Sequence, residues 1–345
     1  MTAAGNRDNR GVINTFPGPD ALAIVQRGYG PSDVLSVERM PVLPLVPGEI
    51  RVRTIASAVN FSDLQIRAGR WPIRRPDPFP YVPGLEVVGV VVEVGPDVTD
   101  WRVGDVAITL MQGMGGVRAE RPGGYAELVT MPADVAAPVP AGLDPLIAAT
   151  VGLAGVTAYS GLQRLGPLAG ATVVVTGATG GVGSTALRIA AALGAQPVAV
   201  VSRPGSHDGL INFGAVRVVA AAALTEDLPP GSVDGVLDTV AGPVFAPVVA
   251  ALRPRGRYCL VGGAAGGTVT WNAYGLLDGI VLTGWSSEGL DGPALRAVWR
   301  SVSDLLSDGR LVAPEPTVLP LTEAARAHDL LESRAVTGRL LLTPA

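Results

Sequence analysis

The chain has 345 residues, 48% of them hydrophobic and 16% charged, with a formal net charge of −4. That length supports two separate cores, and the mild acidity speaks against nucleic acid or an anionic membrane as the main partner. Its single cysteine, Cys259, excludes an intrachain disulfide and suits a reducing cytoplasm, the expected location, and all 26 basic residues are arginines, which excludes lysine Schiff-base and general-base chemistry.

Residues 1–20 read as a flexible tail, since Met1 to Asn14 is polar and lacks the apolar run of a signal peptide. From residue 21 to 135, short apolar runs punctuated by Pro and Gly predict a β-rich domain. Ile50-Arg51-Val52-Arg53 alternates apolar and charged positions. Ser62 and Gln65 stand in capping-box spacing, which predicts a short helix closed by Gly69. A proline-dense loop, 71–83, leads through Gly84-Leu85-Glu86 into a valine-rich strand ending at Val94. Gly89 interrupts that apolar run, and none in the chain is expected to approach the roughly 18 residues of a membrane span. Met111 to Gly124 carries five glycines and reads as a loop too polar and flexible for core, either a functional lid or a mobile insertion. Residues 141–166 read as two helical pieces.

The stretch from Ala171 to Arg203 is a βαβ unit. The β-branched run Thr172 to Thr176 meets a Gly-rich turn, and apolar positions at Val182, Ala186, Ile189, Ala190 and Leu193 follow at helical spacing. Gly194 is suited to end that helix, and Val198 to Val201 is the second strand. The turn, Ala178-x-Gly180-x-x-Gly183, is a variant of the dinucleotide fingerprint. About 20 residues on, NAD sites place an acid for the ribose 2′-hydroxyl. Here stand Ser202 and Arg203, a hydroxyl and a cation suited to a 2′-phosphate, so the expected cofactor is NADPH. Strands at Val216 to Ala220, Val233 to Asp238, Arg257 to Val261 and Ile280 to Gly284 alternate with helices, implying a mostly parallel sheet covered on both faces. After Asp291 a helix runs to Leu306. Residues 313–345 read as a second helix and an exposed strand from Arg339 to Leu342, expected to rejoin the first domain.

Seven motifs carry a family resemblance: Asn60-Phe-Ser-Asp63, Pro83-Gly-Leu-Glu-Val-Val-Gly89, Val94-Gly95, Val103-Gly-Asp105, Gly124-Tyr-Ala-Glu127, Val156-Thr-Ala-Tyr159 and Thr176 to Gly183. In order and spacing they resemble the medium-chain dehydrogenase/reductase superfamily, and within it the zinc-free quinone oxidoreductase and enoyl reductase branch. The resemblance implies an α/β fold: a GroES-like β-rich catalytic domain (21–145 and 290–345) and a Rossmann NADPH-binding domain (146–289) with a doubly wound, parallel, six-stranded sheet. A catalytic zinc needs three Cys, His or carboxylate ligands. The family's ligand positions fall here on Asn60, on Leu85 and on a stretch between Thr150 and Thr157 with no Cys, His or acid, while His207 and His328 lie far away in sequence. No metal is therefore expected.

By similarity, Asn60 and Thr157 belong at the nicotinamide and substrate end. Asp63 is a further catalytic candidate, although an acid in a first helical turn also favours the helix dipole. Tyr81 is a candidate proton donor or wall residue, as are Tyr125 and Tyr159. Leu64 stands where some related polyketide enoyl reductases carry a donor tyrosine, which leaves protonation to solvent or another residue. Glu86 matches the family's Gly-x-Glu and reads as site or structure. For the cofactor, Ala178, Thr179, Gly180, Gly181, Val182 and Gly183 should meet the pyrophosphate, Ser202, Arg203 and His207 the 2′-phosphate. Val240, Val261 and Gly262 lie at strand ends, where ligands dock. Gly338 and Arg339 match a C-terminal family pattern that approaches the cofactor. Trp285-Ser-Ser287 reads as a dimer edge or pocket wall.

Hydride transfer without a Lewis acid needs an acceptor that spreads charge onto a distant oxygen, which points to a quinone or the C=C of an α,β-unsaturated carbonyl compound. The expected partners are that small molecule and a second copy in a homodimer, with no nucleic acid or membrane. One alternative is an enoyl reductase for carrier- or CoA-bound intermediates, whose basic entrance would draw on Arg67, Arg70, Arg74 and Arg75 unless these form a solvated face. An alternative of another class is a non-catalytic, crystallin-like NADPH-binding protein.

Overall fold

The computed structural model describes residues 20–71, 79–115, 120–202, 208–336 and 338–344. An antiparallel pair, β1 (Asp20–Gln26) and β2 (Leu35–Pro41), opens the fold. The next strands are β3 (Glu49–Val59), β4 (Glu86–Val94), β5 (Val106–Leu110), β6 (Leu128–Pro132) and β7 (Ala137–Pro138). Between β3 and β4 lies the short helix α1 (Phe61–Arg67). Helix α2 (Pro145–Gln163) then leads into β8 (Thr172–Thr176), α3 (Gly181–Ala192) and β9 (Gln196–Val201). Short helices α4 (Asp208–Asn212), α5 (Leu224–Asp227) and α6 (Phe245–Ala250) alternate with β10 (Arg217–Ala220), β11 (Val233–Asp238) and β12 (Leu252–Leu260). Strand β13 (Val281–Gly284), α7 (Gly292–Ser307), β14 (Thr317–Pro320), α8 (Ala324–Glu332) and β15 (Leu340–Thr343) complete the chain.

Strands β8 to β13 form a parallel sheet in the order β10-β9-β8-β11-β12-β13, in which the chain moves outward from β8 in both directions. Such a reversal leaves a crevice beyond the carboxyl ends of the strands. Val173, Val174 and Val175 are fully buried, as a strand covered on both faces requires. The other sheet has seven strands, β14-β15-β3-β4-β5-β7 with β6 also on β3, and is built around the eleven-residue β3. Because β15 pairs antiparallel with β3, the C-terminus is woven into this sheet.

Four expectations from the sequence are corrected. The terminal strand is not exposed: Leu340, Leu341 and Leu342 are buried, with β14 on one side and β3 on the other. Helix α1 is capped by Asn60 and Asp63 rather than Ser62 and Gln65, because the shorter Asp63 carboxylate reaches back to the Asn60 N–H at 2.8 Å. The loop from Met111 is not excluded from the core: Met111 and Met114 are buried, and Gly115 (φ +65°) packs so tightly on the Gly84 carbonyl that a side chain would collide with it. One apolar stretch does reach membrane-spanning length. Among the described residues α2 alone does so, and 78% of that stretch is buried inside the protein as a core helix.

Candidate active site

The Gly-rich turn sits at the carboxyl end of β8. Gly177 adopts φ +59°, its carbonyl accepts from the Gly180 N–H at 2.9 Å, and α3 starts at Gly181. No side chain caps α3, so its first-turn N–H groups face outward with the positive end of the helix dipole. A Cβ on Gly183 would collide with the Gly177 carbonyl, which fixes glycine there. Gly181 and Val182 are half-buried, and Thr179 and Gly180 are exposed at the turn. The Ala178 side chain is buried, so it packs inward while its backbone forms the turn.

Beside this turn, Thr239 donates from N to Thr176 Oγ1 (2.9 Å) and from Oγ1 to the Thr176 carbonyl (3.0 Å), lacing β11 to β8. Buried Asp238 accepts from Thr176 Oγ1, the Val240 and Ala241 N–H groups and Tyr258 Oη, at 2.5 to 3.0 Å. Those bonds hold Val240 half-buried at the rim, next to the half-buried Val261 and Gly262. Ser202 is exposed at the end of β9; Arg203 and His207 lie outside the described residues.

A polar cluster joins this crevice to the β3 sheet. Glu86, at the start of β4, and Arg339, just before β15, are 2% and 4% exposed and form an ion pair with Nη2 to Oε1 at 2.5 Å. Arg339 Nη1 donates to Asn60 Oδ1 (2.9 Å), Arg339 Nε to the Thr150 carbonyl (3.1 Å) and Asn60 Nδ2 to Glu86 Oε1 (3.0 Å). Because arginine only donates and the carboxylate accepts, these contacts fix which end of the Asn60 amide is oxygen. The remaining Glu86 oxygen accepts the Leu153 N–H at 2.6 Å. That N–H is free because α2 kinks at Gly152, whose φ of −9° and ψ of −108° are not helical. A side chain on Gly152 would strike Glu86 Oε2. The buried pair thus takes up backbone groups that the kink releases. Thr157 lies one turn beyond, 7% exposed, and among the described residues its hydroxyl has no hydrogen-bond partner.

The structure brings Asn60, Asp63 and Arg339 together, and Arg339 also touches the Gly-rich turn: a Cβ on Gly181 would lie 3.0 Å from its Nη1. Gly338, at φ +91°, gives the backbone turn before it. Tyr81 is placed differently. Its hydroxyl donates to Gln26 Oε1 at 2.9 Å, its ring stacks on Phe79, and burial pushes its phenol up. Arg67 is buried at 2% exposure and so contributes to no basic entrance. Arg70 is exposed but paired with Glu332, and Arg74 and Arg75 lie outside the described residues. Sequence reasoning left open whether Glu86, the hub of the cluster, belongs to site or structure; a glycine at 152 inside an apolar helix was the available signal.

Asp63 is 2% exposed, and its carboxyl is pushed up to about 7 by burial and then by the Glu86 charge, against the pull of the Asn60 N–H and Arg339. Among the described residues, no three His, Cys, Asp or Glu side chains gather as a metal ion would need.

Residues 46–141 match the alcohol dehydrogenase GroES-like domain family, and residues 213–342 match the zinc-binding dehydrogenase family. A probable quinone oxidoreductase of Schizosaccharomyces pombe is 31% identical, over 91% of this chain and 94% of its own length. The chain belongs to the medium-chain dehydrogenase/reductase superfamily. Within that superfamily it is also 33% identical to the acrylyl-CoA reductase of Ruegeria pomeroyi, over 73% of this chain and 77% of the reductase. It is 33% identical over 90% of its length to the phthioceranic/hydroxyphthioceranic acid synthase of Mycobacterium tuberculosis, but spans only 15% of that synthase. A mycobacterial structure complexed with NADPH superposes with a TM-score of 0.81, at 29% identity, covering 94% of this chain and all of the other.

Proposed function

We propose that this medium-chain dehydrogenase/reductase is an NADPH-dependent reductase that delivers hydride to a quinone or to the C=C of an α,β-unsaturated carbonyl compound, with no metal ion taking part. The observation that carries this reading is the Asn60–Glu86–Arg339 cluster, closed on itself by hydrogen bonds beside the uncapped start of α3. Where a metal-dependent relative needs ligands, this chain offers an amide already engaged at both ends and the hydrocarbon of Leu85.

The turn fits a dinucleotide. Gly180 leaves room for close approach, the α3 N–H groups take negative charge, and Ser202 is exposed where the second strand ends, with Arg203 next in sequence. When bound, NADPH supplies the hydride. The protein's own part is to hold the nucleotide at the α3 terminus, to keep Asn60 and Arg339 in one orientation, and to present the unpartnered Thr157 hydroxyl as a hydrogen-bond donor for an oxygen in the cleft. An acceptor that carries negative charge away onto an oxygen needs no stronger electrophile than such a donor. The acrylyl-CoA reductase supports a conjugated thioester as that acceptor.

Arg203→Asp should weaken NADPH binding about 100-fold while changing NADH binding little, measured by fluorescence titration of both nucleotides. Equal losses for the two would place the 2′-phosphate elsewhere.

The carrier-bound reading is favoured by the match to the mycobacterial synthase. A much lower KM for an acyl-carrier-protein thioester than for the matching CoA thioester would select it; equal values would not.

A homodimer is proposed through β13. This edge strand exposes Val281 and Leu282, and beside it Tyr274, Leu276 and Leu277 are exposed on the preceding turn. An unprotected apolar edge favours pairing with a second copy. Sedimentation of Leu282→Arg should shift the protein to monomer; an unchanged dimer would place the interface elsewhere.

A further inference from the structure

Two half-buried side chains meet across the crevice, one from the GroES-like domain and one from the loop that follows the parallel sheet. Trp71 donates from its indole Nε1 to Glu288 Oε1 at 2.9 Å. Each is placed by its own element. Helix α1 ends in a Schellman turn: the Gly69 N–H bonds the Ile66 carbonyl (2.9 Å), the Arg70 N–H bonds the Gln65 carbonyl (2.8 Å), and Gly69 takes φ +71°. The chain thereby leaves the helix, and Trp71 is the next residue. On the other side β13 ends at Gly284, and the Trp285 N–H donates to the Leu260 carbonyl (2.9 Å), next to Val261 and Gly262 beyond β12. Ser286 then caps the single turn Ser287–Gly289 by accepting the Glu288 N–H at 3.2 Å, and Ser287 is buried. Glu288 is thus presented from a pinned backbone beyond the carboxyl ends of β12 and β13, the end of the sheet where ligands dock.

This bond differs from the ties at Glu86 and Arg339. Those, to the Leu153 N–H and the Thr150 carbonyl of α2, are buried, whereas Trp71 and Glu288 keep part of their surface in solvent. An indole N–H only donates and an ionised carboxylate only accepts, so the pair has one arrangement, strengthened by the charge. Trp71, Trp285 and Leu290 all pack against one hydrophobic core, which supports the bond on its inner side. A bond that is supported from within and reached by water from without opens locally, with the rest of the fold intact.

We propose that the Trp71–Glu288 hydrogen bond is a latch between the two domains that gates the passage of NADPH. The nucleotide enters and leaves while the latch is open, and the latch closes again with or without it. Its strength therefore cancels from the affinity and shows only in the rates. With the latched form dominant, loss of one charge-assisted bond multiplies the open fraction about tenfold, and entry and exit rise together by that factor. Neither residue touches the Gly-rich turn or the Asn60 cluster through any hydrogen bond among those described, so both are positioning residues. Their importance for turnover, where release of the spent nucleotide limits the rate, rests on the reductase reading above.

The test needs no acceptor, so it stands apart from that reading: stopped-flow fluorescence follows NADPH binding and its displacement by excess NADP on the intact protein. Trp71→Phe keeps an aromatic ring without the donor, and Glu288→Met keeps the chain length without the acceptor. Each should speed association and dissociation about tenfold while Kd moves less than about twofold. Glu288→Gln, a neutral acceptor, should fall between the native protein and Glu288→Met. The double variant should be no faster than either single one, because one bond is lost only once; this separates the latch from the packing that Trp71→Phe also removes. Unchanged rates in either single variant, one rate moving without the other, or single effects that multiply in the double variant would overturn the proposal.

Discussion

Replacing Arg339 by methionine should cost about 3–5 kcal/mol of folding stability, because it leaves Glu86 as an unpaired buried charge. The side chain makes bonds from Nε, Nη1 and Nη2 to three different partners: the Thr150 carbonyl, Asn60 and Glu86. A compact ammonium cannot reproduce that planar fork, so Arg339→Lys should fall well short of restoring the native stability. Urea unfolding with a common m-value measures both variants. Because replacing both members of a buried pair by apolar groups is often tolerated, Arg339→Met combined with Glu86→Leu should be more stable than Arg339→Met alone. A single variant within about 1 kcal/mol of the native protein would mean that the pair is solvated and does not brace the α2 kink.

Gly183→Ala should lower NADPH affinity at least about 100-fold, or roughly 2.8 kcal/mol of binding free energy. The added Cβ meets the Gly177 carbonyl oxygen and lies 2.8 Å from the Gly177 carbonyl carbon and 2.9 Å from Ala178 Cα. All three atoms are backbone, so no side chain can swing aside, and the turn that presents the α3 N–H groups must open. Gly28→Ala is the control: nothing lies within 4 Å of a Cβ there, and it should bind NADPH as the native protein does. Isothermal titration of the three proteins separates the outcomes. Unchanged affinity in Gly183→Ala would place the pyrophosphate away from this turn.

How much was legible in the sequence depended on how local the cause was. The strand at Val233–Asp238 emerges with the bounds read from its short apolar run. The βαβ unit is equally local, since its Val-rich strand, glycine turn and helix each follow from neighbouring residues. What escaped notice depends on partners far along the chain. Leu340 to Leu342 looks exposed until β3 and β14 close on both sides of it. His328 looks remote from the Asn60 motif, yet the fold sets it against Tyr125. The capping error is of another kind, because Ser62 and Asn60 both suit a helix start, and Asp63 reaching back to the Asn60 N–H decides between them.

Ion-free hydride transfer from NADPH to a conjugated acceptor is the step on which the proposed function rests. The most direct measurement follows NADPH absorbance with a short enoyl-CoA and with a quinone, using protein exhaustively treated with a chelator and checked for metal content. Steady oxidation of NADPH with at least one of these acceptors, undiminished by the chelator, is the expected result. No turnover with either, or turnover that vanishes on chelation and returns with added zinc, would contradict it.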